Sequence, residues 1–477
     1  MMAMLLAAKL PLAEVITAVL LVALTAVVAA IAHDIRRKVK IGRGLQAIPG
    51  PKGWPLLGIL PAFMTPSPRL HDIVLASAED VQHVLATNYK NYIRAPRFIA
   101  SVGKLFGKSF LGINHAHTAD NGAMLRLQRK VGIKVFTTSN FRLFSEQIFH
   151  KYAEKMVSII AEQGGKCDMN VISGQYTLQA IFDIACGISL QEVDPQLGRS
   201  FMKSMDYVFA TISERLMVKP YFKYFWWCMP SEYRMKRNEQ VMIALADNIL
   251  GRPRELEDGE GVSILDVEML RSVFLSFLFA GKDSSSSAIT YTFYALAQYS
   301  QVQQLLYEEL QKVPTSGFSY EDIKNLRYLD AVVSETMRLY PTIPSNFKVA
   351  VEDDYLPDGT FIPAGTEVTY TAWYMGRHNP IWGHSPLVFR PERWLEMKTR
   401  PSAYEFPVFQ AGPRVCIGMN MALLEIKMFV AVMIRQFRVQ IQPGELVHDR
   451  GYIICPTLTM EGGLPLQITR REIAPGF

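Results

Sequence analysis

The sequence predicts a mainly helical protein with a minor β component. Most of the chain beyond residue 70 carries apolar residues at helical spacing. Two stretches, residues 358–376 and 452–471, are instead rich in β-branched and aromatic residues broken by Gly and Pro, so each is predicted to form a β-hairpin. Hydrophobic residues make up 49% of the 477 positions and charged residues 20%, which is typical of a folded chain with a large core.

The first element is an apolar segment close to the N-terminus. It reads VITAVLLVALTAVVAAIA, residues 15–32, and has 18 residues without a charge. As a helix it would be about 27 Å long, near the minimum needed to cross a bilayer. A basic cluster follows at once, with Arg36, Arg37, Lys38 and Lys40. By the positive-inside rule the rest of the chain then lies on the cytosolic side, and we expect residues 1–40 to form a transmembrane anchor with a basic flank.

A cleaved signal peptide is the alternative for this segment, because Ala30, Ile31 and Ala32 resemble a cleavage site. A signal peptide usually has a shorter apolar run and carries its positive charge before that run. Here the basic cluster follows the run, which favours an uncleaved anchor.

Residues 41–62 are predicted to form a hinge between the anchor and the rest of the chain. Within them, the stretch IPGPKGWPLLGILP contains four prolines and three glycines. Such a stretch can be neither a helix nor a central strand, so it is expected to act as a semi-rigid spacer. Residues 63–477 then form the large, mainly helical body.

The longest apolar stretch of this body, residues 270–300, would be about 46 Å long as one helix. An apolar helix of that length must cross the middle of the fold. Its centre reads AGKDSSSS, in which Gly, Asp and Ser disfavour helix. Two interpretations remain open: a loop that divides two helices, or one distorted helix. In the second, Ser hydroxyls bond to preceding carbonyls and leave a groove for a small ligand beside Asp283.

A charged pair lies within an otherwise apolar helix further along the chain. Glu335 and Arg338 are three residues apart in YLDAVVSETMRLYP, so they share one helical face. A surface pair is the ordinary interpretation, but apolar residues surround this one. A buried Arg needs partners for most of its donors, and a buried carboxylate can serve a second cation. Arg393, in FRPERW, is predicted to share the carboxylate of Glu335.

The stretch FQAGPRVCIG, residues 409–418, places Cys416 among glycines and an arginine. A structural cysteine needs neither, whereas a sulfur that contacts a large, flat, anionic group would need both. The five cysteines of the chain form no CxxC pair and no regular spacing, which argues against a disulfide framework and suits a reducing compartment.

Together these motifs resemble those of the cytochrome P-450 family. FQAGPRVCIG is similar to the haem-binding signature F-x-x-G-x-R-x-C-x-G at all of its fixed positions. AGKDS resembles the oxygen-binding helix motif, ETMR the E-x-x-R motif, FRPERW the element that completes a Glu-Arg-Arg triad, and PGPKGWPLLG the hinge of membrane-bound members. The order and spacing agree over about residues 49–470, and the stretches MGR, IWG and PERWL look most like the fatty-acid ω-hydroxylase clan.

This resemblance implies the family fold, with haem b between the long central helix and the cysteine loop. Cys416 would be the axial thiolate ligand of the iron. The residues implied to surround the haem are Phe409, which would shield the sulfur, Gly412 and Gly418, which would allow close approach, and Arg414, Arg129 and Lys348, which would bind propionates. Leu125 occupies a position where the family has a tryptophan, so one propionate contact is expected to be missing.

The resemblance also implies catalytic and substrate-contacting residues. Asp283 and Ser284 would relay protons to iron-bound oxygen. The family usually has threonine at the second position; Ser284 keeps the hydroxyl but lacks the methyl group that restricts its rotamer. The predicted lining of the substrate pocket consists of Ala280, Gly281, Phe347 and Leu458.

One region departs from the family pattern. Between the hinge and residues 77–92 the family has a helix and a pair of strands, but only residues 59–76 intervene here. We therefore expect part of the N-terminal β and helix region to be missing around residues 60–76, which would expose sheet edges.

The function implied is that of a membrane-bound haem-thiolate monooxygenase that hydroxylates a lipophilic substrate with O2, expected to be a fatty acid at its ω position. The chain has no G-x-G-x-x-G or P-loop motif, so electrons would come from NADPH through NADPH–cytochrome P-450 reductase or a cytochrome b-type donor. The reductase would dock on a basic surface near Cys416. Membrane lipid is the other expected partner, and the endoplasmic reticulum the expected location.

Two alternative functions remain open. One is a haem enzyme that rearranges peroxides without a reductase. The other is a non-catalytic or inactive haem-binding variant, which the short N-terminal region keeps possible. Nucleic acid is not an expected partner, because the net charge of +6 is modest and no matching basic patch is present.

Overall fold

The structure is a computed structural model that describes residues 72–114, 119–135, 138–190, 195–218, 229–251, 267–314, 317–378, 380–455 and 457–471, with scattered positions between residues 17 and 29. The predicted hinge lies outside the described residues, and so do nearly all of the predicted anchor and most of the segment around residues 60–76. Among the described residues, no helix combines the length and the apolar character needed to cross a membrane.

The body is built mainly from helices, as its sequence predicts. The first half contains α1 (Ala78–Gln82), α2 (Pro96–Phe106), α3 (Ala119–Val135), α4 (Thr138–Leu143), α5 (His150–Glu162), α6 (Met169–Cys186), α7 (Pro195–Ser213) and α8 (Pro230–Leu250). The second half contains α9 (Val267–Gln298), α10 (Ser300–Leu310), α11 (Tyr320–Asn325), α12 (Arg327–Leu339), α13 (Ala372–His378), α14 (Glu392–Glu396) and α15 (Met419–Gln436). π-Helical turns follow α1, α4 and α7 at His83–Thr87, Phe144–Phe149 and Glu214–Val218.

The strands are short and, in the described part of the chain, form small separate sheets. They are β1 (Asp72–Leu75), β2 (Tyr92–Arg94), β3 (Lys166–Asp168), β4 (Asn346–Ala350), β5 (Asp354–Tyr355), β6 (Phe361–Ile362), β7 (Glu367–Tyr370), β8 (Phe437–Ile441), β9 (Tyr452–Cys455), β10 (Thr457–Met460) and β11 (Pro465–Arg470). The largest sheet has the order β1-β7-β4-β2, in which β1 runs parallel to β7 and the other pairs are antiparallel.

The two predicted hairpins have different outcomes. The prediction for residues 358–376 is wrong: β6 pairs with β5, whereas β7 pairs with β4 and β1. The turn at Gly365, with φ +83°, separates β6 and β7 instead of pairing them. The prediction for residues 452–471 is confirmed in its first half, because β9 and β10 are antiparallel partners; β11 leaves them to pair with β3 and β8.

The central apolar stretch is one continuous helix, α9, of 32 residues. The interpretation as two helices with a loop is therefore wrong. Neighbouring elements satisfy buried hydroxyls of its serine run: Ser286 Oγ lies 2.8 Å from Ser173 Oγ on α6, and Ser287 Oγ donates to the carbonyl of Leu458 at 2.6 Å. Tertiary contacts thus outweigh the low helix propensity of serine.

Helix α9 runs through the main hydrophobic core and contacts α6, α12 and α15 there. Helices α9 and α6 approach closely at Gly281, where an added Cβ would lie 2.7 Å from Ile181 Cγ1. A smaller core joins the largest sheet to the cysteine loop and includes Leu85, Tyr92, Tyr370 and Ala411. Through this small core the sheet supports the loop that carries Cys416.

Candidate functional site

The loop that carries Cys416 is held by its own backbone and precedes helix α15. The turns Pro407–Phe409 and Gly412–Arg414 are 3-10 helical. The N–H of Cys416 donates to the carbonyl of Phe409 at 2.8 Å, which closes the loop. The helix predicted to follow Cys416 is present and begins at Met419, so its N-terminus faces the loop.

The two glycines of the loop have different surroundings. Gly412 has φ +62°, and a Cβ added there would collide with the carbonyl of Leu85 in the π-helical turn after α1. This glycine therefore permits an approach of backbone to backbone, a contact that its sequence motif does not predict. At Gly418, in contrast, an added Cβ meets nothing within 4 Å, so the space beside Cys416 is open on that side.

Gln410, next to Phe409, has a left-handed backbone with φ 64°. A non-glycine residue in this region costs on the order of 1–3 kcal/mol and needs support from its surroundings. Tyr370 donates to the Gln410 side-chain oxygen, and the Gln410 amide donates to Asn346 Oδ1 at 2.5 Å. Both partners belong to the largest sheet, so the sheet fixes the loop in this conformation.

Residue Cys416 as a whole is exposed, and its thiol nevertheless lies deep enough for burial to be the main influence on its pKa. A group at the bottom of a cleft meets both conditions. Burial raises the pKa of the Cys416 thiol, while the N–H of Gly418 and the charge of Arg129 lower it. Protein groups alone therefore leave the thiol protonated near neutral pH, and a metal ion would supply the remaining stabilisation of the thiolate.

Four cationic side chains gather beside this loop. Arg129 on α3 donates to the carbonyl of Val415 at 2.9 Å, and Arg414 donates to the carbonyl of Ile113 at 2.9 Å. Arg94 on β2 lies opposite Lys348 on β4 in the antiparallel register. The cation cluster thus consists of Arg94, Arg129, Lys348 and Arg414, from four separate parts of the chain.

The members of the cation cluster oppose one another's charge. Burial lowers the pKa of Arg94, and the charges of Arg414 and Arg129 lower it further. Burial, followed by the charges of Arg94 and Arg414, lowers the pKa of Lys348 to about 7. No carboxylate among the described residues acts on the pKa of any of the four cations.

These properties fit a dianionic group bound beside Cys416. Nε of Arg414 is buried and has no hydrogen-bond partner among the described residues, so it is a donor without an acceptor. Buried cations normally have a counter-charge, and unsatisfied buried donors are rare. A haem, with two propionates and an iron that accepts a thiolate, would supply both the anions and the metal at this place. The residues present therefore fit the group.

The predicted triad forms a buried ion network. Arg338 donates to Glu335 through Nε and Nη2 at 2.8 Å each, and Arg393 Nε donates to it at 2.9 Å. All three side chains are buried. The remaining acceptor capacity of Glu335 is used by Trp394 Nε1 and by the N–H of Arg390, both at 2.8 Å. The surface-pair interpretation is thus excluded.

Asp283 and Ser284 lie in the middle of α9, but their side chains have different partners. Ser284 Oγ donates to the carbonyl of Ala280 at 2.5 Å, the back-bonding that the sequence predicts. Asp283 Oδ1 lies 3.0 Å from Lys282 Nζ. Burial raises the pKa of Asp283, and Lys282 opposes this rise.

The four residues predicted to line the substrate pocket have the following surroundings. Gly281 packs against Ile181 of α6, so its Cα faces a neighbouring helix. Phe347 on β4 is partly buried, and the guanidinium of Arg97 lies 4.1 Å from its ring centre. Leu458 is buried, and its N–H donates to the carbonyl of Thr342 at 2.8 Å. Their contact with a substrate, like that of Ala280, stays a prediction.

Comparison with known proteins identifies the family. The family model for cytochrome P-450 matches residues 49–452. The chain belongs to the cytochrome P-450 family. It is similar to cytochrome P-450 94A1 of Vicia sativa, with 31% identity over 434 residues that cover 84% of this chain and 82% of the relative.

Two relatives from Arabidopsis thaliana extend this comparison. Cytochrome P-450 94C1 is 30% identical over 437 residues, which cover 84% of this chain and 86% of the relative. Cytochrome P-450 704B1 is 27% identical over 509 residues, which cover 89% of this chain and 95% of the relative. As a cytochrome P-450 the chain is an oxidoreductase of the monooxygenase class, and its family implies haem with thiolate-bound iron, O2, a reductase and a lipophilic substrate.

Of the four cations in the cluster of this cytochrome P-450, Arg94 is the one that no sequence motif identifies. It lies at the end of a three-residue strand, and only the pairing of β2 with β4 brings it beside Lys348. Leu125, where the family has a tryptophan, is buried. Arg94 therefore adds a cation to a site where the sequence predicts the loss of one contact.

Proposed function

We propose that this cytochrome P-450 hydroxylates a fatty acid at its ω position, using O2 and electrons from NADPH delivered by NADPH–cytochrome P-450 reductase or a cytochrome b-type donor. The proposal includes an N-terminal anchor in the endoplasmic reticulum membrane. The observation that carries the haem chemistry is the loop of Cys416 with four cations beside it, on whose pKa values no carboxylate acts in the part of the chain that the structure describes. The resemblance of MGR, IWG and PERWL to the ω-hydroxylase clan supports the choice of substrate.

The proposed cofactor residues follow from this position. Cys416 would hold the iron, and Arg94, Arg129, Lys348 and Arg414 would hold the propionates. When bound, the haem would supply the activation of O2 and the insertion of one oxygen atom into a C–H bond. Phe409 and Gly418 would border the sulfur, and the β-sheet contacts of Gln410 would keep the loop rigid.

Asp283 and Ser284 are the proposed proton carriers. The raised pKa of Asp283 lets the carboxyl hold a proton closer to neutral pH than an exposed Asp does. Ser284 Oγ now donates to the carbonyl of Ala280, so it must rotate to pass a proton onward. Because Ser lacks the methyl group of Thr, this rotation meets little steric resistance.

A basic face of α3 supports the proposed docking of an electron donor near Cys416. Arg126, Lys130 and Lys134 are exposed and spaced one turn apart. Arg129 of the same helix donates to the carbonyl of Val415, so the helix lies against the cysteine loop. An acidic donor surface would be attracted to it.

The first test is the spectrum of the reduced protein with carbon monoxide. We expect the Soret band typical of thiolate ligation, and we expect Cys416→Ala to abolish it because no other ligand replaces the sulfur. Cys186→Ala, which removes a partly exposed thiol on α6, is the matched control and should keep the band. A Cys416→Ala protein that retains the band would exclude Cys416 as the ligand.

A turnover assay then separates the functions. Hydroxylation of a long-chain fatty acid with NADPH and reductase supports the proposal. Rearrangement of a lipid hydroperoxide without reductase, with no fatty-acid hydroxylation, would instead show the peroxide-rearranging function. A thiolate spectrum with neither reaction would contradict the proposed substrate.

A further inference from the structure

Lys282 connects the proposed proton carrier to a neighbouring helix. Its Nζ lies 3.0 Å from Asp283 Oδ1 and 2.6 Å from Asp206 Oδ1, which belongs to α7. Lys282 is 8% exposed, whereas the Asp206 side chain is 64% exposed. One buried cation is therefore shared between an internal carboxylate on its own helix and a carboxylate at the surface of another.

A second contact between α7 and α9 lies one turn away on each helix. The rings of Phe209 and Phe279 have their centres 4.1 Å apart. Phe209 is three residues after Asp206, and Phe279 is three residues before Lys282, so the ion pair and the ring pair lie side by side. Together they join α7 to the part of α9 that carries Asp283.

The charges at this junction act on Asp283 in opposite directions. Burial raises the pKa of Asp283, Lys282 lowers it, and Asp206 raises it. Burial lowers the pKa of Lys282, but the two carboxylates together raise it above its ordinary value. Among the described residues, Lys282 and Asp206 are the charged groups that act on Asp283. The contacts that this turn makes with α6 and with the segment after α12 involve uncharged groups: Thr177 donates to the carbonyl of Lys282, Ile181 contacts Gly281, and Thr342 donates to the carbonyl of Ser284.

We propose that Asp206 and Lys282 form a latch through which the position of α7 controls the charge of Asp283. While α7 is packed against α9, Lys282 forms ion pairs with both carboxylates. When α7 moves away, Asp206 leaves and Lys282 pairs with Asp283 alone, which holds Asp283 in its ionised form. Lys282 and Asp206 are thus positioning residues, and proton delivery by Asp283 depends on the seating of α7. This last consequence rests on the proposed function, whereas the control of charge does not.

The charge of Asp283 is measured by infrared spectroscopy of the haem-loaded full chain as a function of pH. The difference between each protein and the same protein with Asp283→Asn assigns the carboxyl band. Lys282→Met removes the cation, so the titration of Asp283 should move up by about 1–3 pH units. Asp206→Asn removes the competing carboxylate, so the titration should move down.

Asp247→Asn is the matched control for these variants. Asp247 on α8 pairs with Arg271 on α9 at 2.7 Å, another ion pair between α9 and a neighbouring helix, with a similarly exposed carboxylate. It should leave the titration of Asp283 unchanged. Shifts of the same sign in Lys282→Met and Asp206→Asn, or an equal shift in Asp247→Asn, would overturn the latch.

Hydrogen exchange of α7 tests the mechanical part of the proposal. Asp206→Asn should increase exchange in residues 195–213, and Asp247→Asn should not. Because Asp206 is exposed, this variant is expected to fold even where Lys282→Met does not. Lys282→Arg should restore the protection that Lys282→Met removes. Unchanged exchange in Asp206→Asn would show that α7 is held without the ion pair, whatever substrate the enzyme uses.

Discussion

Glu335 shows how one buried carboxylate can organise several segments. It accepts hydrogen bonds from Arg338, Arg393, Trp394 and the backbone of Arg390, and it is fully buried. Arg338 also donates to the carbonyls of Gly376 and Pro386. Since a buried guanidinium without its counter-charge is costly, the single negative charge of Glu335 stabilises two cations for which the described residues provide no other carboxylate.

Glu335→Gln keeps the shape of the side chain and removes its charge, so it tests this role. We expect the free energy of unfolding of the haem-loaded protein to fall by about 3–5 kcal/mol, because two buried cations lose their partner. Chemical denaturation measures the change. Glu396→Gln, which removes an exposed partner of Arg390, is the control and should cost about 0–1 kcal/mol. Equal losses in the two variants would contradict a special role for the buried network.

Helices α6 and α9 illustrate packing at the scale of elements. They meet through Gly281 and Gly174, which belong to opposite sides of the same interface. An added Cβ at Gly281 would lie 2.7 Å from Ile181 Cγ1, whereas one at Gly174 would lie 3.7 Å from Ser286 Oγ, an ordinary contact. The two glycines therefore differ in whether the interface can accept a methyl group.

The pair Gly281→Ala and Gly174→Ala tests this difference. Gly281→Ala should lower the free energy of unfolding by about 1–3 kcal/mol through overpacking, partly offset by better helix propensity. Gly174→Ala should leave stability unchanged or raise it by up to about 1 kcal/mol. Thermal and chemical unfolding of both variants measure these changes in the free energy of unfolding. Adding Ile181→Ala to Gly281→Ala should give a cost below the sum of the single costs, and strict additivity would argue against the contact.

At the scale of the whole molecule, pH acts on stability through a buried acid in the last long helix. Glu425 on α15 is buried, and its Oε1 has no hydrogen-bond partner among the described residues. Burial raises the pKa of Glu425 from its ordinary value of 4.5 to about 8, and the nearby Ser285 hydroxyl opposes this only in part. The folded protein therefore keeps a proton on Glu425 at pH values where the unfolded chain has lost it.

The sign of the resulting pH dependence follows from this difference. The contribution of Glu425 to the free energy of unfolding is complete below pH 4.5. It declines as the pH rises towards 8, by on the order of 1.4 kcal/mol per pH unit. Glu425→Gln should remove this decline, so the variant should gain stability relative to the parent protein between pH 5 and pH 8. Urea unfolding at both pH values measures the gain. Glu308→Gln, at an exposed position of α10, should show no such gain. A constant difference between Glu425→Gln and the parent protein at both pH values would refute the assignment.

The features that could be predicted from the sequence are those that depend on the spacing of residues close together in the chain. Glu335 and Arg338 share a face because they are three residues apart, and the residues around Cys416 form one short motif. Arg94 and Lys348 could not be paired in advance, since strand register joins segments that are distant in sequence. For the same reason β6 and β7 were predicted to pair with each other, although each has its partner elsewhere.

The cation cluster has a consequence for how the enzyme matures. Arg94, Arg129, Lys348 and Arg414 repel one another until a negatively charged molecule neutralises them. Any such molecule that binds only the folded chain shifts the folding equilibrium towards it. We therefore expect assembly of this part of the protein to be coupled to cofactor capture, so that a shortage of porphyrin iron would lower the yield of finished enzyme.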